Sequence, residues 1–205
     1  MVLSLAFLAL AGLPPASAAP LSFEDSLGAV REQIIGARDE QVKAKAGDLS
    51  GRIDRAASDA GRLRWGAQRL RDRIRDIRWR AQRQSRDNGR PGRPQDPWLR
   101  NEIDRAVWDL RDLARDASLL TRDAQDMARE ATKDPALLEP AQRLDREGQM
   151  LQNETQWLES DARMASWDIR RAGYSMEAWD IERESSNAGS SARALSRAAR
   201  SLLDK

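Results

Sequence analysis

The chain has 205 residues, a third of them charged, yet its formal net charge is only +2, and it contains neither His nor Cys. Absent Cys excludes disulfides, thiolate metal sites and thiol chemistry, and absent His removes the commonest general base and transition-metal ligand. High charge with little net charge is the composition of salt-bridged helix surfaces.

The first element is a leader. Residues 2–13 form a short apolar run, followed by Pro14, Pro15 and the small residues Ala16, Ser17, Ala18 and Ala19. This is the apolar core and cleavage pattern of a secretory signal peptide over 1–18, although no Lys or Arg precedes the run. The run is shorter than the roughly 20 residues that span a bilayer. The expectation is an exported protein, periplasmic or secreted, with one helical-bundle domain over 19–205 and no transmembrane segment after cleavage.

Ser22 can cap the next element, which carries Phe23, Leu27, Val30 and Ile34 on one face. Ile35, Val42 and Ala46 then lead into Leu49, Ile53, Ala56, Ala60, Leu63, Ala67, Leu70, Ile74, Ile77 and Ala81, all in 3–4 spacing. The continuous phase predicts one helix over 22–87, the alternative being a hairpin that turns near Gly47 and Gly51. A Gly- and Pro-rich loop follows over 88–96.

Asp96-Pro97 and Asp134-Pro135 are each a capping acid before a Pro at the first helical position. The first opens a helix over 97–132, with its stripe running from Leu99 and Ile103 to Met127 and Ala131. The second opens a helix over 136–185, with Pro140 as a competing start. Its stripe runs from Leu137 to Ile169, Ala172, Met176 and Trp179, missing only at Gly148 and Thr155. The polar run over 185–190 reads as a break before a short helix over 190–204. The fold expected is all-α: an elongated antiparallel helical bundle or coiled coil of three long helices, with an N-terminal helical extension and a short C-terminal helix.

Two surfaces stand out. Residues 48–95 hold fourteen Arg against six acids, whereas 96–205 hold 17 basic and 22 acidic side chains. This asymmetry suits self-association or an anionic partner. Within the Arg-rich segment 62–93, Trp65 and Trp79 fall at the outward heptad position of a short repeat, among Arg64, Arg69, Arg73, Arg80 and Arg83. Two heptads set these Trp on one line about 21 Å apart. Trp and Arg together are a partner-binding composition, and the competing reading is that a neighbouring helix covers them. The third helix carries a second apolar stripe through Trp157, Met164, Trp167, Tyr174 and Ile181, which needs either an intramolecular cover or an oligomer interface.

No phosphate-binding, dinucleotide or calcium-loop motif is present, and the Asp residues lie among Arg in helical spacing. No cofactor or metal is expected. The leading expectation is an exported, non-catalytic structural or interaction protein that binds a protein partner or itself through its helices. The first alternative is a binder of anionic surfaces or polymers (lipid headgroups, envelope polymers, nucleic acid) through segment 62–93. The second is an envelope holdase that uses its exposed apolar stripe.

Overall fold

The computed structural model describes the backbone of residues 23–87, 96–131 and 134–204. The leader expected over 1–18 and all of the expected 88–96 loop except Asp96 lie outside the described residues. Four α-helices follow in order: α1 Phe23–Asp87, α2 Pro97–Glu130, α3 Leu138–Arg171 and α4 Ser175–Leu203. A 3-10 turn, Pro135–Leu137, leads into α3. Both capping acids act as the spacing suggests. The Asp96 carboxylate accepts from the Trp98 amide at 3.0 Å, and that of Asp134 accepts from Ala136 at 2.9 Å.

The chain divides into two units, 1–44 and 45–205. In the first, the described backbone is the opening of α1, on which Ile35, Glu40 and Lys43 are exposed. The second is an all-α helical bundle. Its apolar centre includes Ile53 and Ile74 from α1, Ile103 and Leu110 from α2, Leu144, Leu151 and Leu158 from α3, and Ile181 from α4, all fully buried. Each such side chain contributes about 1.5–3 kcal/mol relative to exposure. Many other core positions are Ala, whose small side chain lets the helix backbones approach closely.

Polar pairs between helices fix their directions. Arg52 with Glu130 and Arg73 with Asp109 run α1 antiparallel to α2. Arg64 with Glu147, Arg71 with Glu154 and Arg78 with Asp168 run α1 parallel to α3. Arg100 with Glu177 and Arg111 with Glu184 run α2 parallel to α4. Arg170 with Glu182 and Arg193 with Glu159 run α3 antiparallel to α4. Chain neighbours are therefore antiparallel in these two hairpins, as the short loops imply, and the seams between non-neighbours, α1 with α3 and α2 with α4, are parallel. The basic α1 and the acids of later helices partly satisfy one another inside the chain.

The expected helix over 136–185 is two helices. It ends at Arg171 in a Schellman motif: the Tyr174 amide donates to the Ile169 carbonyl at 3.1 Å and the Gly173 amide donates to Arg170 at 3.0 Å. Gly173 has φ 100°, a conformation that glycine adopts without the Cβ penalty of other residues. The break resets the register. Met176 and Trp179, expected in the core stripe, are exposed, whereas Tyr174, Ala178 and Ile181 from the second stripe become core.

The break expected over 185–190 is instead continuous helix within α4, so the last helix is 29 residues rather than short. Ser185, Ala188 and Gly189 are buried there. Their small size serves helix packing, not a turn. Gly148 has the same role on α3, since a Cβ built on it would lie 3.4 Å from the Ser196 backbone of α4.

Candidate functional site

With a core mostly of Ala, Leu and Ile, Tyr174 is the one buried aromatic among the described residues. Its ring is buried, and its hydroxyl donates to the Asp96 carbonyl at 2.8 Å, tying the α3–α4 turn to the start of α2. All seven Trp are exposed, from 45 % at Trp98 to 66 % at Trp179. Each has an Arg guanidinium against its ring. The separations run from 3.7 Å for Arg80 over Trp98 to 5.5 Å for Arg64 over Trp65. The others pair Arg71 with Trp157, Arg83 with Trp79, Arg111 with Trp108, Arg170 with Trp179 and Arg171 with Trp167. Such contacts are worth about 0.5–1 kcal/mol at exposed sites, and they hold each ring in place.

Helix register places six of the seven near one end of the bundle. Trp157 packs under Arg71, and Trp108 adjoins Asp109, the partner of Arg73. Trp79 lies on α1 itself. Trp167 adjoins Asp168, which binds Arg78 and Gln82, and Trp98 lies under Arg80. Trp179 is two residues beyond Glu177, the partner of Arg100 near the start of α2. The α1 partners from Arg71 to Arg80 span roughly 14 Å at 1.5 Å per residue. All four helices contribute, and Trp65 stands about 9 Å before Arg71.

The seven residues expected as one anionic-partner face do not share a face. Trp65 and Trp79 are both exposed, so no neighbouring helix covers them. Arg64 turns toward α3 and pairs with Glu147 at 3.4 Å, whereas Arg73 turns toward α2 and pairs with Asp109. Nine residues of helix separate the two, which puts them on opposite sides. Arg69, Arg80 and Arg83 are exposed and have no carboxylate partner among the described residues, and the same holds for Arg86. The second expected face also splits. Trp157, Met164 and Trp167 are exposed before the α3–α4 break, and Tyr174 and Ile181 are buried after it.

Buried charge lies between helices. Asp161 accepts from Arg75 at 2.8 Å, and Glu184 accepts from Arg111 at 3.1 Å, from Arg183 and from Asn187. Burial alone pushes the Glu184 carboxyl up, but the bonds from Asn187, Arg111 and Arg183 outweigh it and hold it below the usual carboxylate range. Among the described residues no group of three His, Cys, Asp or Glu could hold a metal ion, and no helix is long and apolar enough to cross a membrane. Comparison of the chain with family models, curated proteins and solved structures returns no match.

Proposed function

We propose that the protein is an exported, non-catalytic binding protein that holds an anionic surface or polymer against the Trp- and Arg-rich end of its bundle. The observation that carries this reading is the exposure of every Trp, each beside an Arg, with six gathered at one level. Burying these rings would be the default for a fold short of other aromatics, so their placement outside costs stability that the core does not recover. Arg supplies recognition of phosphate and carboxylate, and Trp supplies a flat apolar body for stacking or interfacial anchoring. Arg80 and Arg83 are the central residues, because no carboxylate among the described residues neutralises either one and both already sit on Trp rings.

The test is intrinsic Trp fluorescence of the full chain, titrated with phosphatidylglycerol vesicles and with polyphosphate. Phosphatidylcholine vesicles and high salt are the controls. A salt-sensitive blue shift is expected with at least one anionic titrant. Arg80→Gln/Arg83→Gln should weaken it roughly 30-fold, at about 1 kcal/mol for each Arg near an anionic surface. An unshifted spectrum with both titrants would sink the reading. A second reading, helix-mediated protein contact, is favoured by one feature, the open groove between α1 and α2.

A further inference from the structure

That groove lies on a different side of α1 from the pairing with α3. Its floor is Leu63, Leu70 and Leu113. One wall is basic and belongs to α1, with Arg62, Arg69 and Arg73; the other is acidic and belongs to α2, with Asp109, Asp112 and Asp116. An adjoining hollow shares Arg62, Leu63 and Asp116 and continues the apolar floor to Leu120, with Leu119 half exposed. Gly66 also lines the groove, and a Cβ built on it meets nothing within 4 Å. A mid-helix glycine weakens a helix, and here no contact within the chain gives a reason for it.

We propose that this groove is the interface of a twofold dimer in which α1 of one protomer lies against α2 of its partner, with the two bundles parallel. Because α1 and α2 are antiparallel, with Arg52 against Glu130 and Arg73 against Asp109, the Arg row stands level with the Asp row. A half-turn about an axis along the bundle brings the Arg row of each protomer opposite the Asp row of the other, at unchanged level. The match is made twice, as an isologous interface requires. A half-turn about an axis across the groove would instead oppose Arg to Arg and Asp to Asp, which like-charge repulsion disfavours.

Pairing within the chain leaves this match available. Arg69 has no carboxylate partner among the described residues, Arg62 is held only by exposed Asp59 of its own helix, and Asp112 and Asp116 share Arg115 of theirs. The leucine floors would face one another at the centre, and Gly66 would admit the partner backbone. Neither Trp65 nor Trp79 lines the groove, so this inference stands or falls separately from the anionic-surface reading.

Sedimentation equilibrium of the full chain tests it. Wild-type protein should be dimeric. Arg62→Asp/Arg69→Asp and Asp112→Arg/Asp116→Arg should each be monomeric, with helical circular dichroism retained. An equimolar mixture of the two variants should regain the dimer, since the acidic α1 row of the first meets the basic α2 row of the second in one half of the interface, and the unchanged basic α1 row of the second meets the unchanged acidic α2 row of the first in the other. A wild-type chain that stays monomeric overturns the proposal, as does either variant remaining dimeric or a folded mixture that fails to associate. Arg80→Gln/Arg83→Gln should leave the dimer intact while weakening the fluorescence response, which separates the two surfaces.

Discussion

The α3–α4 seam and the α1–α2 seam are both antiparallel hairpins, but their mid-helix glycines have opposite surroundings. At Gly148 of α3 the Ser196 backbone and the Ala199 side chain of α4 close within 4 Å of where a Cβ would be. At Gly66 of α1 the same construction meets open space. The first glycine is explained by packing within the chain. The second is not, and the groove beside it keeps an apolar floor that the chain itself leaves uncovered. The same residue type therefore marks a closed seam in one hairpin and an open one in the other.

The largest expected effect is on the closed seam. Gly148→Leu forces a branched side chain against helix backbone, and overpacking of this kind costs about 3 kcal/mol. A loss of unfolding free energy of that order is expected in denaturant titration, while Gly66→Leu, facing open space, should leave the monomer's stability within about 1 kcal/mol of wild type. Equal losses at both positions would break the comparison.

Smaller effects follow along α4, which closes against both α2 and α3. Glu184→Gln loses charged hydrogen bonds to Arg111 and Arg183 and should destabilise by about 1–2 kcal/mol at neutral pH. The folded carboxyl is held below its ordinary value, so its stabilisation is complete above the unfolded-chain pKa and is lost as pH falls through the lowered folded one. Wild type and variant should therefore converge in urea denaturation as the medium is acidified, and a constant gap would remove Glu184 from the account. Gly173→Ala asks an L-residue to hold φ 100° and should cost about 1 kcal/mol. Its denaturation curve also tests whether the register of α4 depends on that turn.

Much of the fold was legible in spacing. The stripes of α1 and α2 were readable because each buried face repeats at 3–4 residues without interruption, and Asp96-Pro97 and Asp134-Pro135 advertise their own caps. The α3–α4 turn was missed although its signal is present: Arg170 and Arg171 in a last turn, then Gly173. Apolar residues happen to continue in phase through Ala172, Met176 and Trp179, which hid the break. The opposite error came from Ser185, Asn187 and Gly189, turn-forming residues whose small size serves close packing here. At the candidate site the outward spacing of Trp65 and Trp79 was readable. The pairing of Arg64 with Glu147 and of Arg73 with Asp109 was not, because it depends on the register between helices distant in sequence.

The smallest effect bears most directly on the open seam. Gly66→Ala adds one methyl to a helix interior with nothing within 4 Å to obstruct it, so helix propensity alone should raise the monomer's stability by about 0.5–1 kcal/mol. If the groove has no occupant, the gain should be the same at every protein concentration. A dimer that brings a partner backbone against Gly66 predicts otherwise. The gain should appear in dilute solution, where the monomer unfolds, and shrink or reverse in concentrated solution, where the dimer is the species that unfolds. Thermal unfolding at two concentrations far apart distinguishes the cases, and a concentration-independent gain would make Gly66 an ordinary surface glycine and leave the α1–α2 seam without a partner.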